Sequence, residues 1–165
     1  MDNVILIGMP GAGKSTVGVV LAKMMGYFFL DSDLLIQQRE GRLLQQIIDE
    51  DGLEKFIEIE NEVNCSINVS RTVIATGGSV VYGEEAMEHL RKIGKVIYID
   101  LPETEIEKRV GNFETRGIAL KNGNTLADLF SEREPLYRKY AHITVDTSSL
   151  SIEDAAKLMV KLLKE

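Results

Sequence analysis

Residues 8–15 read Gly8-Met9-Pro10-Gly11-Ala12-Gly13-Lys14-Ser15 and fill every fixed position of G-x-x-x-x-G-K-[ST]. Glycines at those places let successive backbone N–H groups turn inward and form a concave anion nest. An apolar β-branched run precedes the loop, and a helix-period segment follows it through Ser15 and Thr16. The positive end of that helix adds to the nest. A lysine at position 14 can reach the β- and γ-phosphates of a nucleotide, and the Ser15 hydroxyl suits Mg²⁺, which prefers oxygen ligands. Gly11, Ala12, Gly13, Lys14, Ser15 and Thr16 are therefore the expected nucleoside-triphosphate site. No asparagine is followed by Lys-x-Asp, so a guanine-specific switch protein is not expected.

A second constellation is Asp31-Ser32-Asp33 at the end of a short apolar run. In a strand, residues two apart point the same way, so both carboxylates would aim into one crevice. Asp31 could order Mg²⁺, and Asp33 could accept the proton of an attacking hydroxyl. The competing reading is that one of them only caps the helix that follows.

These residues need a scaffold, and the periodicity supplies it. Short apolar runs at 4–7, 28–30, 72–75, 96–101 and 143–145 read as strands. Helical spacing covers 15–25, 34–39, 42–50, 53–69, 84–93, 103–110, 126–140 and 152–163, with a break or kink expected at Pro135. The segment 53–69 alternates like a strand at first, but its apolar period is too long for one. Alternating strands and helices predict an α/β fold: a three-layer α/β/α sandwich on a five-stranded parallel sheet, of the P-loop NTPase kind. Ligands in such folds sit beyond the carboxyl ends of the strands. The whole chain, 1–165, reads as one domain, with acceptor-binding helices over 34–62 and a glycine-rich mobile lid loop over 111–124.

Composition narrows the partners. The chain has 165 residues, 44% of them hydrophobic, and a net charge of −7. An acidic protein is a poor match to a phosphate backbone, so no nucleic acid is expected. No apolar run is long enough to span a membrane. Cys65 is the only cysteine, and His89 and His142 have no metal-ligand spacing, which excludes a disulfide within the chain and a zinc site. A cytoplasmic monomer acting on a small hydroxylated metabolite is expected.

The phosphate loop, Asp31-Ser32-Asp33, Ala75-Thr76-Gly77-Gly78 and Glu132-Arg133-Glu134-Pro135-Leu136-Tyr137 together resemble the shikimate kinases in order and spacing. The resemblance covers nearly the whole chain. It implies ATP and Mg²⁺ as cofactors, transfer of the γ-phosphate to an acceptor hydroxyl (shikimate to shikimate 3-phosphate), and a place in aromatic amino acid biosynthesis. It also implies roles by position: Lys14 and Arg116 on the transferring phosphate, Ser15 and Asp31 at the metal, and Arg109 against adenine. Asp33, Gly77 and Gly78 would hold the acceptor, and Arg133 its carboxylate.

The acceptor side departs from the family pattern. Where the family reads G-E-x-x-F-R-x-x-E, this chain has Gly52 to Glu60 with Ile57 in the arginine's place. A bidentate grip on a carboxylate is lost there. Ser79 replaces a third glycine, and Arg116-Gly117-Ile118-Ala119 replaces R-P-L-L in the lid. Three readings follow. The acceptor is shikimate, its carboxylate gripped by Arg133 alone, or by Arg39 or Lys55. Or it is another small hydroxylated metabolite, with Ile57 and Ser79 reshaping its pocket. Or the chain binds ATP without catalysis.

Overall fold

In the computed structural model, which describes residues 3–110 and 124–165, five parallel strands form one sheet. They are β1 (Asn3–Ile7), β2 (Phe28–Asp31), β3 (Thr72–Ala75), β4 (Gly94–Asp100) and β5 (Ile143–Asp146), in the order β2-β3-β1-β4-β5. The helices are α1 (Lys14–Met25), α2 (Ser32–Glu40), α3 (Leu44–Asp51), α4 (Leu53–Cys65), α5 (Glu84–Ile93), α6 (Glu103–Arg109), α7 (Leu126–Tyr140) and α8 (Ile152–Leu162), with a 3₁₀ turn at Val80–Tyr82. Every residue of β1 is buried, so side chains that alternate between the two faces are covered on both. This is the α/β/α sandwich that the apolar runs predict.

Register brings the chemistry together. Leu6 pairs with Ala75, Ile7 with Tyr98, and Asp31 with Ala75. The ends of β1, β2 and β3 therefore lie side by side, and the segments after them meet at one edge.

Two hydrophobic clusters form. The larger fills the space around the sheet and includes Val4 to Ile7, Leu21, Ile74, Ile97 and Met159. The smaller consists of Ile36, Leu44, Ile47, Phe56, Ile59 and Val63, all from α2, α3 and α4. Helices α2, α3 and α4 thus carry a core of their own.

Three sequence expectations are corrected. The apolar period continues to Ile67 and Val69, but α4 stops at Cys65, where the Ser66 N–H and hydroxyl close the helix on Glu62 and Val63 carbonyls. Ile67 is buried beyond the helix end, so its position in the period reflects packing and not helix. Pro135 neither ends nor interrupts α7, which runs from Leu126 to Tyr140. Finally, helix begins at Ser32, so Asp33 stands on α2 and not on a strand.

Replacing Ile47, fully buried in the smaller cluster, with alanine should cost about 2–5 kcal/mol of stability, read from urea unfolding. A cost under about 1 kcal/mol would mean that this cluster contributes little.

Candidate active site

Gly13 caps α1 with φ 91° and ψ 18°, a left-handed conformation that favours glycine. That turn opens the nest and sends Lys14 across it. Lys14 is 8% exposed, and its ammonium donates to the Gly8 carbonyl at 2.7 Å and the Met9 carbonyl at 2.8 Å. Burial lowers its pKa to about 8, against the opposing pull of Asp33.

The two aspartates divide their work differently from a strand pair. Asp31 is the helix cap: its Oδ1 accepts the Asp33 N–H at 2.9 Å. Its Oδ2 accepts from the Ser15 hydroxyl at 3.0 Å. A hydroxyl and a carboxylate oxygen therefore stand together at the mouth of the nest. They are hard donors of the kind Mg²⁺ takes in ones and twos, with phosphate and water completing its shell. Among the described residues no group of three or more His, Cys, Asp or Glu is placed to hold a metal. Asp33 turns into the cavity. Burial, and then the charge of Asp31, raise its pKa to about 6, and Lys14 pulls it back down.

The cavity beside the nest measures about 370 Å³. Lys14, Asp33, Phe56, Glu60, Gly77 and Arg133 are among the residues that line it. Gly77 is glycine for a spatial reason: a β-carbon would stand 2.7 Å from Asp33 Oδ1 and 2.9 Å from Glu60 Oε2. Gly78 lets its neighbours approach in the same way, since a β-carbon there would meet Arg133 Nη1 at 2.9 Å. The Gly78 carbonyl accepts the Tyr137 hydroxyl at 2.6 Å. Arg133 is 1% exposed, not a surface charge on a helix. Its Nε donates to the Tyr82 hydroxyl at 3.2 Å, and its guanidinium lies 5.3 Å from the centre of that ring.

A second cavity of about 360 Å³ adjoins the other side of the loop, lined by Gly11, Gly13, Thr16, Arg109, Thr147 and Ser151. Glu105, a possible partner for Arg109 by spacing, is paired with Lys108 at 3.3 Å. Thr147 and Ser151 carry no motif, and only the placement of β5 and α8 brings them to this wall.

Ile57 is not part of the main cavity. It lines a neighbouring one of about 250 Å³, with Leu53, Glu54, Tyr82, Leu129 and Glu132. Leu53 and Ile57 both pack against the smaller hydrophobic cluster, which holds that turn of α4 in place. Arg39 and Lys55 do not line the cavity either: Arg39 pairs with Glu62 at 2.6 Å and Lys55 with Glu58 at 3.4 Å, on the surface. Arg116 and all but the last residue of the lid loop at 111–124 lie outside the described residues.

Glu60 is the residue the sequence undervalues. It is 1% exposed and accepts the Ser79 hydroxyl at 2.6 Å on Oε1. Burial, then the charge of Asp33, raise its pKa to about 8, while Ser79 and Arg133 pull it down. Its one sequence signal is a place in the family pattern, as the last glutamate after Gly52.

A family model described as shikimate kinase matches residues 10–164. The chain belongs to the shikimate kinase family. Relatives named shikimate kinase include one from Thiobacillus denitrificans, 38% identical over 96% of this chain and 88% of that one. Another, from Nitrosomonas europaea, is 36% identical over 99% of this chain and 79% of its own length. The shikimate kinase of Acinetobacter baumannii in complex with shikimate superposes with a TM-score of 0.90 at 32% identity, covering 99% of this chain and 93% of that one. As a member of the shikimate kinase family, the chain is an ATP-dependent phosphotransferase that acts on a hydroxyl group.

The buried carboxyl of Glu60 has a consequence for stability. Folded, it keeps its proton up to about pH 8; unfolded, it releases it near the ordinary value of 4.5. The folded state binds more protons over that interval, so stability falls as pH rises through it. Glu60→Gln should flatten this slope, measured by urea unfolding across the interval. An unchanged slope would show that Glu60 is ionised in the folded protein.

Proposed function

We propose that this chain transfers the γ-phosphate of ATP to a hydroxyl of shikimate. The observation that carries the reading is the convergence of Lys14, Asp33 and Arg133 on one cavity at the mouth of the phosphate loop. Phosphoryl transfer needs positioning and charge compensation more than covalent chemistry, and these three side chains offer a base flanked by two cations.

In this reading the nest at Gly11–Thr16 cradles the phosphates, and Lys14 exchanges the Gly8 and Met9 carbonyls for phosphate oxygens. Ser15 and Asp31 would hold Mg²⁺, whose charge would offset that of the phosphates. Asp33 Oδ1 has no hydrogen-bond partner among the described residues and is set to receive the proton of the acceptor hydroxyl. The Gly77 and Gly78 segment lets the acceptor approach, with Ser79 beside it, and Arg133 takes the acceptor carboxylate. Arg109 flanks the adenine side, and Arg116 closes from the lid with late positive charge and exclusion of water. The protein acts as a cytoplasmic monomer on small molecules. Support comes from its net charge of −7, which disfavours nucleic acid, and from the lack of a helix, among the described residues, long and apolar enough to cross a membrane.

One observation favours a second reading, an acceptor of different shape. Ile57 leaves Arg133 as the cavity's only arginine among the described residues. Losing a charge-assisted hydrogen bond weakens affinity by about 1.5–3 kcal/mol, or about tenfold to over a hundredfold.

ADP release, coupled to a spectroscopic assay, over shikimate and a panel of small polyols and hydroxy acids separates the two readings. Turnover with shikimate supports the first. Turnover only with another acceptor supports the second, and none with any acceptor overturns both. Lys14→Ala and Asp33→Asn should each lower turnover at least about 100-fold. With Asp33 as base, the rate should fall as pH drops through about 6, where its carboxyl takes up a proton. A rate that is flat across that range would remove Asp33 from the role.

A further inference from the structure

Positions 57 and 79 depart from the family pattern together, and one side chain is related to both: Glu60 accepts from Ser79 and stands three residues on from Ile57. Ile57 and Glu60 are three apart on α4, the spacing at which helical side chains are neighbours. A cation at 57 would stand next to Glu60; isoleucine brings no charge. The partner that Glu60 does have is Ser79, whose hydroxyl donates to Oε1 at 2.6 Å. Ser79 has φ −89° and ψ 0°, a backbone conformation that asks for no glycine.

The other oxygen of Glu60 is the informative one. Oε2 is buried with no hydrogen-bond partner among the described residues, and so is Asp33 Oδ1. Both press on the same side of Gly77, and both residues line the cavity. A buried acceptor atom left without a donor is costly, and an incoming hydroxyl relieves it.

We propose that Ser79 is a positioning residue of the acceptor site: it replaces a cation at position 57 as the partner of Glu60, and so aims Glu60 Oε2 at a second acceptor hydroxyl beside the one that meets Asp33. This rests on the phosphotransferase reading above. The acceptor class that follows carries at least two neighbouring hydroxyls. The charged groups around Glu60 are Asp33, Arg133 and Lys14. Burial favours its neutral acid form, which both donates and accepts and so can meet a hydroxyl in either sense.

The test is a two-by-two cycle of Ser79→Ala and Ile57→Arg, read in the KM for shikimate, the KM for ATP and the carbon-13 titration of the Glu60 carboxyl. In the wild-type background Ser79→Ala should raise the shikimate KM about tenfold and leave the ATP KM within about twofold. With arginine at 57 the same change should cost less than about twofold. The titration should follow: Ser79→Ala raises the Glu60 pKa in the wild type, Ile57→Arg lowers it, and the two effects are not additive. Equal costs of Ser79→Ala in both backgrounds, with additive titration shifts, overturn the proposal. Non-additive titration without turnover on any hydroxylated acceptor would overturn the reading of the preceding subsection and leave the Ser79–Glu60 pairing standing. An arm that needs no variant uses deoxy analogues of shikimate, each lacking one hydroxyl other than the one phosphorylated. At least one should raise the KM about tenfold, and if neither does, Glu60 reads no second hydroxyl and the proposal fails.

Discussion

Charge removed from water has to be compensated where it sits, and the cavity at the strand ends is organised by that requirement. It holds two cations, Lys14 and Arg133, and two carboxyls, Asp33 and Glu60. Each shifts the others: Asp33 supports the charge of Lys14, Lys14 holds down the pKa of Asp33, and Arg133 that of Glu60. Asp33 Oδ1 and Glu60 Oε2 are buried without a donor among the described residues. With Glu60 held in its acid form by burial, the two cations face one full anion, and the hydrogen bonding is unfinished among the described residues, which is the state of a pocket that a polar ligand completes.

Ser15 and Asp31 extend this logic toward the phosphates. Asp31 ties the start of α2 to the start of α1 by accepting from the Asp33 N–H and the Ser15 hydroxyl. The residue that caps a helix is thus also the one that holds the Ser15 hydroxyl at the phosphate loop. The sequence poses capping as an alternative to a role in the crevice, while a carboxylate with two oxygens can reach both.

Much of this was legible in the chain. The five strands and the P-loop follow from apolar runs and glycine spacing, because a buried parallel strand and an anion nest each leave a local signature. The convergence of Asp33 and Gly77 follows from their places after the carboxyl ends of strands, while Arg133, on a helix far along the chain, joins them only through the family pattern. Glu60 was hidden for a different reason. Glutamate on an amphipathic, acidic helix reads as solvated surface, and nothing local tells that α5, the 3₁₀ turn and Ser79 close over it. The extent of α4 was misread because Ile67 keeps the helical period after the helix has ended. Ile57 reads in the sequence as a missing arginine, but its place beside and not within the main cavity depends on how α4 is turned against Tyr82 and Leu129.

The small cluster of Ile36, Leu44, Ile47, Phe56, Ile59 and Val63 bears on more than packing. Because α2, α3 and α4 are stabilised by contacts among themselves, residues on their pocket-facing turns can be exchanged without disturbing the sheet that fixes the phosphate loop. The departure at 57 falls on one of these helices, and the phosphate loop keeps its motif intact. Such a division separates the rate at which a lineage can explore new acceptors from the rate at which it would lose the ability to use ATP. The same scaffold can then be inherited as an engine with an exchangeable front end.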